Sequence, residues 1–267
     1  MPILYHYTTP AGLEGILRSR GLWVTDTRFL NDRREFKIGW DVLSDTYKKR
    51  KAEIAAISAP AIDNIEGYME GIEYTNAYVA SFSVNGDILS QWRGYNGGFG
   101  FSIAFDRDLV QKIANGQNFK LSKVLYDSNQ HWQIIDMLFN DLCGDLKRTD
   151  SENVAPITFR WWRRVLRVVS IIKDRHFSEE CEVRLFAEYW NDSNVKVRST
   201  ERKLIPYLEM MLGFDMIGGQ DIASLAIQHV IVGPAMMPNQ RYAAEHLLKQ
   251  YEIEAPVYES SIPYIAS

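Results

Sequence analysis

The chain begins with a stretch, LYHYTT, that places a histidine, two phenols and two hydroxyls side by side. If the stretch forms a β-strand, alternation puts His6 and Thr8 on one face and Tyr5 and Tyr7 on the other. An imidazole and a hydroxyl on one face can both hydrogen-bond a polar ligand. The stretch therefore predicts one wall of a binding cleft, or else a strand whose histidine bonds a backbone carbonyl while Thr8 caps the next helix.

A second group of hydroxyls stands in the stretch SFS, where Ser81 and Ser83 share one face of a predicted strand. Buried hydroxyls need hydrogen-bond partners, and either a ligand or neighbouring side chains would supply them. Trp92 follows in the stretch QW and could stack on a planar ring, although tryptophan is also a common core residue. These three residues are candidates for a ligand pocket.

The stretch EECEVRL carries alternating charges, with Glu180, Glu182 and Arg184 on one face of a predicted strand. A catalytic carboxylate beside an arginine that keeps it ionised, or that binds phosphate, would use such a pattern. Cross-strand ion pairs at an exposed edge would use the same pattern.

Four arginines in the stretch FRWWRRVLRVV recur at helical spacing and form one stripe: Arg160, Arg163, Arg164 and Arg167. A stripe of this kind can grip the phosphates of a nucleic acid. It can equally be a solvated helix face that pairs with acidic residues elsewhere in the chain.

These residues are positioned by a mixture of predicted strands and helices. Alternation and β-forming residues predict strands at 2–7, 22–25, 77–83, 99–106, 119–126, 181–190, 195–198, 203–210, 226–234 and in APVYES. Apolar spacings of three and four predict helices near 10–20, 35–51, 107–114, 129–144, 154–173 and 238–251, with a weaker one before residue 77. We expect 195–198 and 203–210 to pair with 181–190.

The order of elements predicts the fold class. Strands and helices are mixed without a βαβ rhythm, and neither a G-x-G-x-x-G nor a P-loop motif is present. We expect a single α+β domain spanning 1–267, with a strongly bent mixed sheet and helical insertions near 33–73 and 127–175. Asn31 or Asp32 is the expected cap of the first inserted helix.

Composition limits the class of protein. The chain has 267 residues, is 46% hydrophobic and carries a net charge of −4, so bulk attraction to nucleic acid or to an anionic membrane is not expected. Cys143 and Cys181 stand in no metal-ligand spacing, which predicts no metal site. The sequence shows no secretory signal and no long apolar run, so we expect a cytoplasmic protein, and its oligomeric state stays open.

The order of these blocks resembles a known family. Taken together, they are similar to bacterial domain-of-unknown-function family 2971. The blocks that carry this resemblance are LYHYTT with the following GLEGILRSRGLWVT, then SFS, QWRGYNGGFGFSIAFD, EECEVRL, HVIVGP and SSIPY. The opening block, SFS and the E-x-E-x-R block also resemble the ADP-ribosyltransferase superfamily. The corresponding positions are His6, Ser81 with Ser83, and Glu182 or Glu180. The chain departs from that superfamily in carrying SFS instead of Ser-Thr-Ser.

The second resemblance implies chemistry on NAD⁺, as an ADP-ribosyltransferase or NAD⁺ glycohydrolase, for example a toxin or anti-phage effector. Glu182 would stabilise the oxocarbenium-like transition state and hold the ribose hydroxyls. The resemblance assigns the remaining candidates to the NAD⁺ pocket. His6 and Thr8 would contact the ribose or the carboxamide, and Ser81 and Ser83 would surround nicotinamide. Tyr7 or Trp92 would stack on the ring.

Two other hypotheses stay open from the sequence. One is a non-catalytic module of a bacterial defence or regulatory system that binds a nucleotide or nucleic acid. The other is a hydrolase or phosphotransferase that uses Glu180 or Glu182 with His6. The catalytic NAD⁺ hypothesis requires His6, Ser81, Ser83 and Glu182 to converge, and it fails if Glu182 lies on the far side of the sheet from His6.

Overall fold

A computed structural model describes residues 2–30, 35–71, 77–94, 99–150, 153–187, 192–200, 203–213, 216–217, 220–221 and 226–263. The chain divides into two compact units. The sheet unit consists of Met1–Thr25, Val79–Lys123 and Glu179–Ser267. The helical unit consists of Asp26–Tyr78 and Val124–Ser178, the two regions in which the sequence predicted helical insertions.

The strands follow in chain order. They are β1 Ile3–Thr8, β2 Gly21–Asp26, β3 Tyr78–Ser83, β4 Phe101–Asp106, β5 Phe119–Lys123, β6 Glu182–Ala187, β7 Lys196–Ser199, β8 Leu204–Met211, β9 Met216–Ile217, β10 Gln220–Asp221, β11 Ile227–Val232 and β12 Val257–Glu259.

The α-helices interleave with these strands. They are α1 Pro10–Ser19, α2 Glu35–Ile57, α3 Ala59–Glu70, α4 Leu89–Gly94, α5 Arg107–Gly116, α6 Ser128–Leu146, α7 Val154–Val169 and α8 Gln240–Gln250. Short 3-10 helices lie at Thr27–Phe29, Arg175–Glu180 and Asp192–Asn194.

A ten-stranded mixed sheet forms the frame of the sheet unit, which confirms the α+β class with a mixed sheet. Its main order is β12-β11-β4-β1-β3-β2-β8-β7, and β6 pairs with both β3 and β5. The β11–β12 pair is parallel, whereas β1 is antiparallel to β3 and β4. The separate β9–β10 pair is antiparallel.

The prediction that 195–198 and 203–210 pair with the strand near 181–190 is wrong. β7 pairs with β8, and β8 pairs with β2 along Gly21–Thr25. β6 pairs instead with β3 and β5. Alternation within a strand does not reveal which strand pairs with it, because pairing depends on contacts between residues far apart in sequence.

Helix α1 begins as the sequence predicts, with Pro10 in its first turn and a threonine cap. The cap is Thr9, whose Oγ1 accepts a hydrogen bond from the Gly12 backbone N–H at 3.1 Å. Arg20 ends the helix in the left-handed conformation, with φ of 50°, so Gly21 is free to begin β2. The expected cap of α2, Asn31 or Asp32, lies outside the described residues.

The helical unit has its own core, formed by α2, α3, α6 and α7. The aromatic centre combines Tyr47, Phe139 and Trp161, with ring centroids 6.5 Å apart for the first pair and 5.1 Å for the second. Trp161 Nε1 donates to the Leu138 carbonyl at 3.0 Å, so its one polar atom is satisfied inside the core.

Candidate functional site

The sheet of the sheet unit branches at β3. Ser83 lies opposite Tyr5 of β1 and also opposite Glu182 of β6, so β1 and β6 occupy the two edges of β3. β2 also pairs with β3. Because β6 occupies one edge of β3, β1 and β2 lie one after the other along the opposite edge. His6 follows Tyr5 directly, at the point where β1 leaves β3. We call this place the strand junction and define it by His6, Ser81, Thr25 and Arg198.

The imidazole of His6 is held at the strand junction by one nitrogen. Nδ1 lies 2.9 Å from the Ser81 carbonyl oxygen, and because a carbonyl only accepts, Nδ1 donates this hydrogen bond. The ring also packs against Phe82, with 5.7 Å between centroids. Burial lowers the pKa of His6; the Ser81 carbonyl opposes that shift, and the positive charge of Arg198 adds to it.

A neutral His6 whose Nδ1 carries the proton has its lone pair on Nε2. Within the described part of the chain, no residue hydrogen-bonds this Nε2. The histidine is therefore oriented and available as a hydrogen-bond acceptor. The bond to a backbone carbonyl is the one that the second sequence alternative predicts, although the cap of α1 is Thr9 and not Thr8; the binding cleft of the first alternative stays a prediction.

Arg198 is a half-buried arginine of the edge strand β7 that sequence reasoning missed. Its guanidinium carbon lies 4.6 Å from the centroid of the Trp23 ring and 5.9 Å from that of Tyr207. Nη2 donates to Thr25 Oγ1 at 3.1 Å, whereas Nε is buried and has no hydrogen-bond partner among the described residues. Burial lowers the pKa of Arg198. An arginine stays protonated despite such a shift, so a partly desolvated cation stands at the junction.

Helix α1 positions Trp23, whose ring packs against Arg198. A Cβ on Gly15 would lie 2.3 Å from the Trp23 ring, so only glycine lets the helix approach the indole this closely. The only sequence signals were a tryptophan in LWVT and an arginine in VKVR. Nothing in the local pattern brings residues 23 and 198 together, because β8 stands between their strands in the sheet.

The structure does not bring Glu182 to His6, and this corrects the predicted catalytic set. The registers Ser83↔Glu182 and Tyr5↔Ser83 place Glu182 on the face of the sheet that carries Tyr5, while His6 points to the opposite face. Arg184 Nε donates to Glu182 Oε1 at 2.7 Å and Nη2 donates to Oε2 at 3.1 Å. Glu182 is 5% exposed and Arg184 1% exposed, so the two form a buried ion pair.

The predicted ring-stacking residues are also unavailable to a ligand. Trp92 is 1% exposed and meets the buried Tyr7 edge-on, with 4.8 Å between ring centroids. Trp92 Nε1 donates to Asp87 Oδ1 at 2.7 Å. The Tyr7 hydroxyl donates to the Asn85 carbonyl and accepts from the Ile88 backbone N–H. Both aromatic rings are therefore core residues with satisfied polar atoms.

The remaining predicted pocket residues have structural partners as well. Ser83 is buried; its hydroxyl donates to the Glu180 carbonyl at 2.7 Å and accepts from the Asn85 backbone N–H at 3.0 Å. Ser81 contributes its carbonyl, rather than its hydroxyl, to the strand junction. The Thr8 hydroxyl packs closely against Gly12 of α1. Glu180 is half-buried at the end of a 3-10 helix, away from the β-pairing of Glu182.

Asp87, in the loop after β3, accepts hydrogen bonds from the segment that follows β12. Besides Trp92, its Oδ1 accepts from Ser260 Oγ at 2.6 Å, and its Oδ2 accepts from the backbone N–H and the hydroxyl of Ser261 at 2.8 and 2.9 Å. Burial by itself raises the pKa of Asp87. The hydrogen bonds from Ser260, Trp92 and Ser261 outweigh burial, so the pKa lies below its usual value.

The arginine stripe lies on α7 in the helical unit. Arg164 Nη2 pairs with Asp141 Oδ2 of α6 at 2.6 Å, Arg160 is exposed, and Arg163 and Arg167 are half-buried. The Arg164 pair is what a solvated helix face predicts. Nucleic-acid binding by the stripe stays a prediction.

Two searches of the described residues concern metals and membranes. No group of three or more histidine, cysteine, aspartate or glutamate side chains in this part of the chain is arranged to hold a metal ion. None of the helices described combines the length and the apolar character that a membrane crossing requires.

Comparison with known protein families matches the middle part of the chain. Residues 91–185 match the model of a family described as a protein of unknown function (DUF2971). The matched segment includes Trp92 and ends in the Glu182–Arg184 block, but it leaves out the opening stretch with His6. No curated protein and no solved structure matches the chain. The resemblance to ADP-ribosyltransferases receives no support from these comparisons.

Proposed function

We propose that the sheet unit binds a nucleotide at the strand junction and does not cleave it, with NAD⁺ as the first nucleotide to test. The observation that carries this proposal is His6, whose Nδ1 is fixed by the Ser81 carbonyl while its Nε2 lone pair has no hydrogen-bond partner among the described residues. An oriented acceptor of this kind suits a ribose hydroxyl, which donates a hydrogen bond. The half-buried cation Arg198 supplies the positive charge that a nucleotide requires.

Cleavage of the glycosidic bond of NAD⁺ needs a carboxylate beside the positively charged ribose of the transition state. Glu182, the predicted carboxylate, lies on the other face of the sheet and accepts two hydrogen bonds from the buried Arg184. Releasing it would break a buried ion pair with two hydrogen bonds, at a cost of about 3–5 kcal/mol. The geometry therefore favours the non-catalytic hypothesis.

Titration calorimetry of the full chain with NAD⁺, ADP and adenosine tests the proposal. We expect the wild type to bind all three and His6→Ala to weaken each of them at least tenfold, which corresponds to about 1.4 kcal/mol. His246→Ala is the matched control, because His246 is an exposed histidine of α8 in the same unit. Absence of binding by the wild type, or equal binding by His6→Ala, would overturn the proposal.

A second measurement tests the non-catalytic part. The wild type is incubated with NAD⁺ and a cell lysate, and free nicotinamide and transfer of the labelled ADP-ribose are followed over time. We expect neither release nor transfer. Release that depends on Glu182, shown by its loss in a folded Glu182→Gln variant, would restore the catalytic hypothesis.

A further inference from the structure

We infer that Arg198 is a phosphate-binding residue, and that the ligand of the strand junction is therefore a phosphorylated compound. Where it concerns a nucleotide, this inference rests on the proposed function. The anion site at Arg198 is inferred from the surroundings of the guanidinium alone.

Within the part of the chain that the structure describes, Arg198 has no acidic partner, unlike three other cations of the sheet unit. Arg184 binds Glu182, Arg241 binds Glu245, and Lys196, on the same strand as Arg198, pairs with Glu209. Among the described residues, the only side-chain oxygen that accepts from Arg198 is the uncharged Thr25 hydroxyl. A partly desolvated cation without an anion is costly, so an anionic ligand would be stabilised here.

The free N–H groups of Arg198 suit an oxyanion with more than one acceptor. Trp23 and Tyr207 pack against the guanidinium, and Nη2 reaches Thr25, while Nε has no partner among the described residues. Nε and a terminal nitrogen are the pair of donors that arginine uses in bidentate recognition of phosphate. The aromatic contacts limit the motion of the side chain, which reduces the entropy lost on binding.

The position of His6 connects this anion site to the nucleotide proposal. Gly12 of α1 lies against the Thr8 hydroxyl, on the strand face of His6, and Gly15 of the same helix lies against the Trp23 ring on which Arg198 packs, so one helix borders both groups. A ligand that carries both a hydroxyl donor and a phosphate has one group for Nε2 of His6 and another for Nε of Arg198. Sugar phosphates and nucleotides have this pair of groups.

Calorimetry with sodium pyrophosphate, ADP, adenosine and malonate, a small dicarboxylate, tests the inference. Arg198→Met keeps an unbranched side chain against Trp23 and Tyr207, and Arg198→Lys keeps the charge but not the paired donors. Arg241→Met is the control, because Arg241 is an exposed arginine of α8 in the same unit. Far-ultraviolet circular dichroism of each variant checks that it is folded.

We expect the wild type and Arg241→Met to bind pyrophosphate and ADP. Arg198→Met should weaken both at least tenfold and leave adenosine unchanged, with Arg198→Lys between the two. Equal pyrophosphate binding by the wild type and Arg198→Met would overturn the inference, as would no pyrophosphate or ADP binding by the wild type. Malonate bound as tightly as pyrophosphate would overturn the assignment to phosphate.

The two proposals fail in different ways. If adenosine and ADP bind equally well to the wild type and to Arg198→Met, the phosphate assignment is wrong and the nucleotide site remains. If pyrophosphate binding depends on Arg198 while adenosine, ADP and NAD⁺ do not bind, the anion site is real and the nucleotide proposal is wrong.

Discussion

Two arginines of the same sheet have opposite surroundings. Arg184 is buried in β6 and gives two hydrogen bonds to Glu182. Arg198, on the edge strand β7, packs against the adjacent rings of Trp23 and Tyr207 and donates to a single hydroxyl of the described residues. Both are cations removed from water, but only the first has its counter-charge within the described part of the chain.

The difference separates a structural charge from a functional one. A buried ion pair is complete without a ligand, so the residues of EECEVRL serve the folded state even though their pattern is typical of an active site. An arginine that remains unneutralised lowers stability unless something outside the chain compensates. Such a residue is a better candidate for function than a charged residue whose partner lies two positions away.

The largest expected loss of stability comes from breaking the Glu182–Arg184 ion pair. Glu182→Leu leaves the Arg184 guanidinium buried without its acid, and should lower the free energy of unfolding by about 3–5 kcal/mol in urea denaturation followed by tryptophan fluorescence. The double variant Glu182→Leu/Arg184→Met removes both charges and should regain most of that loss. If the double variant is as unstable as the single one, the ion pair does not explain the loss.

A smaller effect is expected at Asp87, a carboxylate whose partners are neutral donors. Asp87→Ala removes the acceptor for Trp92, Ser260 and Ser261, and should lower the free energy of unfolding by about 1–3 kcal/mol in the same assay. The matched control is Asp108→Ala, because Asp108 is an exposed acidic residue in the first turn of α5, in the same unit. An equal loss in the two variants would show that the hydrogen bonds of Asp87 add nothing.

The contribution of Asp87 should also depend on pH. Because its pKa is lower in the folded state, its stabilisation is complete above the unfolded value of about 3.9 and is lost as pH falls through the folded pKa. The stability difference between wild type and Asp87→Ala should therefore be constant from neutral pH to about pH 5 and decrease in more acidic solution. A difference that grows on acidification would contradict the assignment.

The smallest effect is expected at Arg198. Without ligand, Arg198→Met should change the free energy of unfolding by less than about 1 kcal/mol, or raise it, because a partly desolvated cation is removed while the contacts with Trp23 and Tyr207 are kept. Urea denaturation measures this change as well. A loss as large as that of Glu182→Leu would show that Arg198 has a structural role, and the contrast between the two arginines would disappear.

Local features of the chain could be predicted well. The strand at LYHYTT, the threonine cap of α1 and the four helices of the helical unit follow from alternation, capping chemistry and helical spacing. Of the residues that define the strand junction, sequence reasoning assigned His6 and Ser81 to a binding site, and Ser81 contributes its carbonyl there. Trp23 and Arg198 gave no signal, since each looks like an ordinary residue of a short strand.

The sequence by itself determined which residues share a face within each strand, such as Ser81 with Ser83 and Glu182 with Arg184. Only the tertiary structure decided whether those faces coincide with the face of His6. The physical reason is register: shifting one strand by a single residue exchanges its two faces, and register depends on packing between distant segments. The observed pairing of Tyr5, Ser83 and Glu182 therefore separates Glu182 from His6, and the strand order β2-β8-β7 lets Arg198 reach Thr25 of β2.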